Sequence, residues 1–97
     1  MNKIKSKNKE LISVLRMKNS YEILKELESG CKRFKDLKRR FTHSTLAKRL
    51  SDLEKCNLIV RKVDEKRKPP LVEYELTEKG RKILNFFEKI AEEKEVG

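Results

Sequence analysis

The sequence is poor in the residues that usually build catalytic and metal sites. Its 97 residues include no tryptophan or glutamine, three glycines, two cysteines and one histidine. No G-x-x-x-x-G-K loop is present, and His43 has no cysteine or carboxylate arranged beside it. Cys31 and Cys56 form no C-x-x-C pair, so neither a zinc site nor a disulfide framework is indicated. We therefore expect no enzyme activity, no metal and no cofactor, and we interpret both cysteines as small core residues.

Long apolar runs are also absent. No segment approaches the about 18 apolar residues that cross a bilayer. The N-terminal stretch MNKIKSKNKE is basic but is not followed by the apolar segment of a signal peptide. These features predict a cytoplasmic protein with no membrane contact. The absence of Gln and the abundance of Lys and Glu resemble hyperthermophile composition, which hints at an archaeal or thermophilic source.

Positive charge is what the sequence has in excess. Lys and Arg total 26 against 16 for Asp and Glu, which gives a formal net charge of +10. A charge of this size raises the local concentration of polyanions, so nucleic acid is the expected partner class. At this length we expect residues 1–97 to form one domain, burying about 60 to 70% of the surface of the unfolded chain.

Hydrophobic spacing predicts two helices in the first third of the chain. A basic tail over residues 1–8 is too polar to fold alone and precedes a helix over residues 9–18. Asn19-Ser20-Tyr21-Glu22 has the form of a capping box at the start of a second helix, which buries Ile23, Leu24 and Leu27. Ser29-Gly30 is expected to end this helix.

A helix-turn-helix is predicted over residues 35–56. Cys31 to Phe34 indicates a strand of one or two residues, and Lys35 to Arg40 a short helix. Thr42 is placed to cap a longer helix from His43 to Cys56 with its hydroxyl, and Asn57 to end it in the left-handed conformation. In this longer helix the residues expected to face the core are Leu46, Leu50 and Leu53.

A β-hairpin and a last helix are predicted after residue 57. Leu58 to Asp64 and Leu71 to Leu76 have strand character and bracket the charged turn EKRKPP. Thr77 is expected to cap a helix from Glu78 to about Glu95. The element order predicts a mainly α fold with a small β-hairpin, the winged helix-turn-helix, with residues 58–76 as the wing.

This fold predicts where nucleic acid would bind. In helix-turn-helix proteins the second helix lies in the DNA major groove and the first crosses the backbone. The polar face of the helix over residues 43–56 is suited to base edges, and the basic hairpin to phosphates or the minor groove. The predicted contact residues for double-stranded DNA are Thr42, His43, Ser44, Thr45, Lys48, Arg49, Lys62, Lys66, Arg67 and Lys68.

The terminal helices, residues 9–18 and 78–95, predict a homodimer. They carry more apolar surface than so small a monomer is expected to cover, and a two-fold interface buries such surface symmetrically. The predicted interface residues are Leu11, Ile12, Leu15, Ile83, Phe86, Phe87 and Ile90.

The sequence resembles the HxlR-type transcriptional regulators, small dimeric winged-helix DNA-binding proteins. The resemblance runs from about Ile23 to Leu84, through KRFKDLKRR and TLAKRLSDLEKCNLIVRKV to PPLVEYELTEKGRKI, and its most specific piece is Pro70 to Gly80. It implies that the helix matching His43 to Lys55 reads DNA. It also implies that the helix from Glu78 joins the N-terminal helix in a dimer interface.

The sequence departs from this family near the first shared helix. Family members usually have a Cys-Pro pair and a Gly-Lys-Trp stretch there, whereas this chain has Met17 to Tyr21. The cysteine that senses oxidants in some relatives has no counterpart, so sensing is not transferred to Cys31 or Cys56. MarR-like and PadR-like regulators share the fold and remain alternatives, as does a winged helix that contacts protein or RNA in a larger assembly. The sequence does not identify a small-molecule effector.

Overall fold

The structure is a computed structural model that describes residues 10–96, with side chains described up to Ala91. The predicted basic tail over residues 1–8 and the start of the first helix lie outside the described residues. In chain order the elements are α1 (described over residues 10–16), α2 (Ser20–Leu27), β1 (Lys32–Arg33), α3 (Phe34–Leu37), α4 (His43–Lys55), β2 (Ile59–Asp64), β3 (Leu71–Leu76) and α5 (Glu78–Val96). This order confirms the predicted winged helix-turn-helix.

The core is formed by leucines and isoleucines at helical spacing. In α4 the predicted inward residues Leu46, Leu50 and Leu53 are at most 2% exposed. They belong to one core cluster, whose remaining residues are Val14, Ile23, Leu24, Leu27, Leu37, Leu58, Ile59, Leu76 and Leu84. Burial of this one face fixes α4 and leaves its opposite face to solvent.

Three antiparallel strands in the order β1-β3-β2 make a small sheet. The hairpin of β2 and β3 pairs Ile59 with Leu76 at its base and Asp64 with Leu71 near its tip. The two-residue strand β1 adds to the other edge of β3, with Lys32 opposite Tyr74. Both the hairpin and the predicted short strand are therefore confirmed.

A hydrogen-bonded junction joins the end of α4 to the start of α5. Asn57 ends α4 in the predicted left-handed conformation, with φ of 61°. The Thr77 hydroxyl donates to the Asn57 carbonyl at 2.6 Å and accepts from the Gly80 N–H at 3.0 Å, so Thr77 caps α5 as predicted. The Thr77 N–H donates to the Leu58 carbonyl at 3.1 Å, which fixes the base of the hairpin.

Three local predictions were wrong. Asn19 precedes α2 with φ of 74° and its side chain makes no capping bond, because the left-handed residue serves to reverse the chain after α1. Thr42 is the residue before α4, but its hydroxyl makes no capping bond. Helix α3 covers Phe34–Leu37 instead of Lys35 to Arg40, since the Asp36 carboxylate accepts from the Arg33 N–H at 3.2 Å and starts it earlier.

Within the described range, every helix is too short or too polar to cross a membrane.

Candidate nucleic-acid interface

The first three turns of the exposed face of α4 carry small or polar side chains and one cation. Ser44, Ala47, Lys48 and Ser51 are all exposed, on the side opposite the buried leucines. The first turn of α4 contains no acidic residue. This face therefore presents hydroxyls and an ammonium group where a negatively charged ligand can approach the helix.

The start of α4 is held by an aromatic contact with α3. The His43 ring lies 5.0 Å from the Phe34 ring, centroid to centroid, at an interplanar angle of 58°. Both Thr42 and His43 remain exposed, whereas Thr45 is half-buried on the flank of the helix. The contact fixes the first turn of α4 relative to the first helix of the helix-turn-helix.

Arg49 is turned away from this face, contrary to the prediction. Its side chain is 13% exposed and its Nη1 donates to the Asp52 carboxylate at 3.2 Å. Its Nε–H donates to the Lys18 carbonyl at 3.1 Å. Helical spacing placed Arg49 at the flank of α4, and the long side chain extends from that flank to the turn before α2. We therefore leave Arg49 out of the candidate interface.

The tip of the hairpin is a second basic surface. We call residues 65–70 the wing tip; Lys66, Arg67 and Lys68 are all exposed there. The Asp64 carboxylate accepts from the Lys66 N–H at 3.1 Å and so closes the turn. Three of the four predicted wing cations thus lie together at the tip of the hairpin.

Lys62 has a different environment from the wing tip. Its ammonium lies 2.6 Å from a carboxylate oxygen of Glu75 on the neighbouring strand. This hydrogen bond raises the pKa of Lys62 and lowers the pKa of Glu75. The Lys62 charge is balanced by a carboxylate, so Lys62 is a weaker candidate for phosphate binding than the wing tip.

Further cations that the sequence reasoning did not include lie on the same elements. Arg33 on β1 lines a small open cleft together with Arg67, Lys68 and the two prolines of the wing tip. Lys35, Lys38 and Arg39 are exposed on α3 and the turn after it. The basic residues of KRFKDLKRR could have predicted these phosphate contacts, since the first helix of a helix-turn-helix crosses the phosphate backbone.

The predicted dimer residues divide into two groups. Ile12, Phe86 and Ile90 are 54%, 59% and 45% exposed, and they lie on α1 and α5. Phe87 is half-buried and contacts Tyr21 edge-on, with ring centroids 6.5 Å apart. The remaining three, Leu11, Leu15 and Ile83, are half-buried against the core.

Both cysteines are half-buried free thiols. The Cys31 thiol lies 3.4 Å from a Glu75 carboxylate oxygen, and burial together with this carboxylate raises the pKa of Cys31. Burial also raises the pKa of Cys56. Among the residues that the structure describes, no three His, Cys, Asp or Glu side chains are grouped so that they could hold a metal ion.

This combination of fold and basic surfaces agrees with the comparison to known families. Residues 14–95 match the HxlR-like helix-turn-helix family, which is most of the chain. The chain belongs to that family. The family and the structural relatives of the chain are transcriptional regulators of the winged-helix type, a class of DNA-binding proteins.

Individual relatives agree in sequence and in structure. The chain is 43% identical over 70 residues to the regulatory protein MalR of Fusobacterium mortiferum; this match covers 66% of the chain and 65% of MalR, just under two thirds of it. A MarR-family transcriptional regulator of Enterococcus faecalis V583 has a TM-score of 0.83 at 30% identity, covering 99% of this chain and 88% of that one. Reduced YodB of B. subtilis has a TM-score of 0.75 at 31% identity, covering 84% and 81%.

Proposed function

We propose that this HxlR-like protein is a sequence-specific double-stranded DNA-binding transcriptional regulator that acts as a homodimer. Helix α4 lies in the major groove, and the wing tip lies on the backbone or in the minor groove. The observation that carries the proposal is the exposed face of α4, which has no carboxylate in its first turn and lies opposite a fully buried leucine face.

The side chains of this face match the chemistry of base edges. Ser44 and Ser51 supply hydroxyls that donate or accept, and Lys48 supplies a donor for guanine O6 and N7 or for a phosphate. Ala47 lies between them and is small enough to let the helix approach a thymine methyl group. A helix of 13 residues is long enough to cross the groove while its second half leaves it.

Cations around this face provide the general affinity for DNA. On one side of α4 the DNA phosphate backbone can be contacted by Lys35, Lys38 and Arg39, which precede the helix. On the other side it can be contacted by the wing tip together with Arg33. The net charge of +10 favours DNA over basic or neutral partners and predicts a strong salt dependence.

The exposed apolar residues support a two-fold dimer. Ile12, Phe86 and Ile90 are large hydrophobic side chains left in solvent on the two terminal helices. A second copy of the chain covers them symmetrically and places two α4 helices to read two half-sites.

The proposal is tested by selecting duplexes from a random pool and titrating the selected duplex, a scrambled duplex and a single-stranded RNA. We expect the selected duplex to bind at least about 10³-fold more tightly than the scrambled one. Equal affinity for both duplexes would contradict sequence-specific reading, and a preference for the RNA would favour a winged helix that binds RNA.

A further inference from the structure

Arg49 joins the reading helix to the turn between α1 and α2. Its Nε–H donates to the Lys18 carbonyl at 3.1 Å, and its Nη1 lies 2.7 Å from the Met17 sulfur. The same Nη1 donates to the Asp52 carboxylate at 3.2 Å, one turn further along α4. The guanidinium therefore links α4 to a segment about 30 residues earlier in the chain, and it is largely removed from solvent.

The turn that Arg49 reaches is itself firmly built. The Ser20 side chain is fully buried and its hydroxyl donates to the Val14 carbonyl at 2.6 Å. The Met17 N–H donates to the same carbonyl at 3.1 Å, and Asn19 reverses the chain with φ of 74°. A cation at the C-terminal end of α1 also interacts favourably with the helix dipole and the last carbonyls.

Directional bonds matter here because the middle of α4, away from its hydrogen-bonded C-terminal end, otherwise packs through apolar side chains. Leu46, Leu50 and Leu53 hold α4 against the core, but hydrophobic contact is non-directional and permits small rotations of the helix. The planar fork of Arg49 bonds acceptors on two elements at once from donor positions that are fixed relative to one another, whereas the donors of a lysine ammonium rotate freely. Arg49 thus fixes the angle of α4 relative to α1.

We infer that Arg49 is a positioning residue that sets the separation of the two reading helices in the dimer. Exposed Ile12 places α1 on the proposed dimer face, so α1 is joined to the partner on one side and to α4 through Arg49 on the other. The inference rests on the proposed function. It predicts that Arg49 governs the preferred spacing of half-sites and contributes little to the bases read within each half-site.

The first arm of the test is binding to duplexes in which the two selected half-sites are moved apart or together by one or two base pairs. Each base pair rotates a half-site by about a tenth of a turn, so a rigid dimer discriminates sharply. We expect the wild type to lose at least about tenfold in affinity away from the preferred spacing, and Arg49→Met to lose less than about threefold.

Lys48→Met on the neighbouring position is the matched variant, since it removes the same charge with the same new side chain. We expect it to weaken base preference within each half-site while keeping the spacing profile of the wild type. Asp52→Asn is a milder variant that removes the charge paired with Arg49, and it should broaden the spacing profile in part. An unchanged spacing profile in Arg49→Met would overturn the inference.

The second arm is hydrogen exchange without DNA, which does not depend on the proposed function. We expect backbone amides of residues 17–20 and 43–50 to exchange faster in Arg49→Met and to be unchanged in Lys48→Met. If the wild type bound no duplex specifically, the proposed function would be wrong. Hydrogen exchange alone would then test whether Arg49 links α1 to α4. Unchanged exchange in Arg49→Met would then overturn the link between α1 and α4.

Discussion

At the scale of single residues, close packing explains why the LTEKG sequence at the start of α5 has a glycine at position 80. A Cβ atom at position 80 would lie 2.0 Å from the Leu58 carbonyl oxygen, because α5 begins directly against the base of the hairpin. Thr77, three residues earlier, binds the neighbouring Asn57 carbonyl. The short sequence therefore joins the wing to the last helix.

We expect Gly80→Ala to destabilise the fold by about 1 to 3 kcal/mol or more, since the obstructing atom belongs to the backbone and cannot rotate away. Denaturant unfolding measures the effect. Asn85→Ala is the control on the exposed side of the same helix and should change the free energy of unfolding by less than about 0.5 kcal/mol. Equal stability of the two variants would contradict the close packing at Gly80.

The cysteines are expected to be chemically quiet. Burial raises the pKa of both thiols, so at neutral pH the reactive thiolate fraction is smaller than for a free cysteine and increases only as the pH rises toward the elevated pKa. Oxidant should leave DNA affinity unchanged, and Cys31→Ser and Cys56→Ser should bind as the wild type does. An oxidant-dependent loss of affinity that either substitution abolishes would show a redox sensor.

Arg49 and Lys62 show what spacing along one element cannot predict. Periodicity gives the face of a helix or strand on which a residue lies, and it gave the outward face of α4 correctly. The direction of a long side chain depends on acceptors from other elements, here the Lys18 carbonyl and the Glu75 carboxylate. Such partners become visible only when the tertiary structure is known.

At the scale of elements, the strong hydrophobic patterns were predicted well and the short segments less well. Helix α4 was expected from His43 to Cys56 and covers His43–Lys55, because three buried leucines at helical spacing define it. Helix α3 has only four residues and one buried side chain, Leu37, so a single hydrogen bond to Asp36 decides where it begins.

The reading helix and the wing tip are expected to contribute differently to binding. Alanine at Ser44, Thr45 or Lys48 should relax preference at particular base pairs by ~1 to 3 kcal/mol each. Alanine at Lys66, Arg67 or Lys68 should weaken all sequences about equally and flatten the salt dependence. Titration of selected and scrambled duplexes at several salt concentrations separates the two patterns.

Two lysines serve as controls for this comparison. Lys82→Ala removes a charge from an exposed position on α5, away from both surfaces, and should change neither preference nor salt dependence appreciably. Lys62→Ala should weaken binding less than Lys66→Ala, because Glu75 already balances the Lys62 charge. If the wing variants lost sequence preference while the α4 variants lost only general affinity for DNA, α4 would not be the helix that reads bases.

At the scale of the whole molecule, the terminal helices should hold two chains together. Phe86→Glu places a charge on a side chain that is 59% exposed and lies on the proposed dimer face, so it should shift the protein toward monomer. Asn85→Glu adds the same charge at the neighbouring exposed position, about 100° round α5 from Phe86, and should leave the dimer intact. Sedimentation at micromolar concentration measures both; a monomeric wild type would contradict the dimer.

The most direct test of the central claim, that α4 reads bases in the major groove, is methylation interference on the selected duplex. Guanine N7 lies in the major groove and adenine N3 in the minor groove. We expect N7 methylation to block binding in two half-sites about one helical turn apart, and Lys48→Ala to lose part of this interference. Interference confined to adenine N3, or absent from both grooves, would contradict the placement of α4.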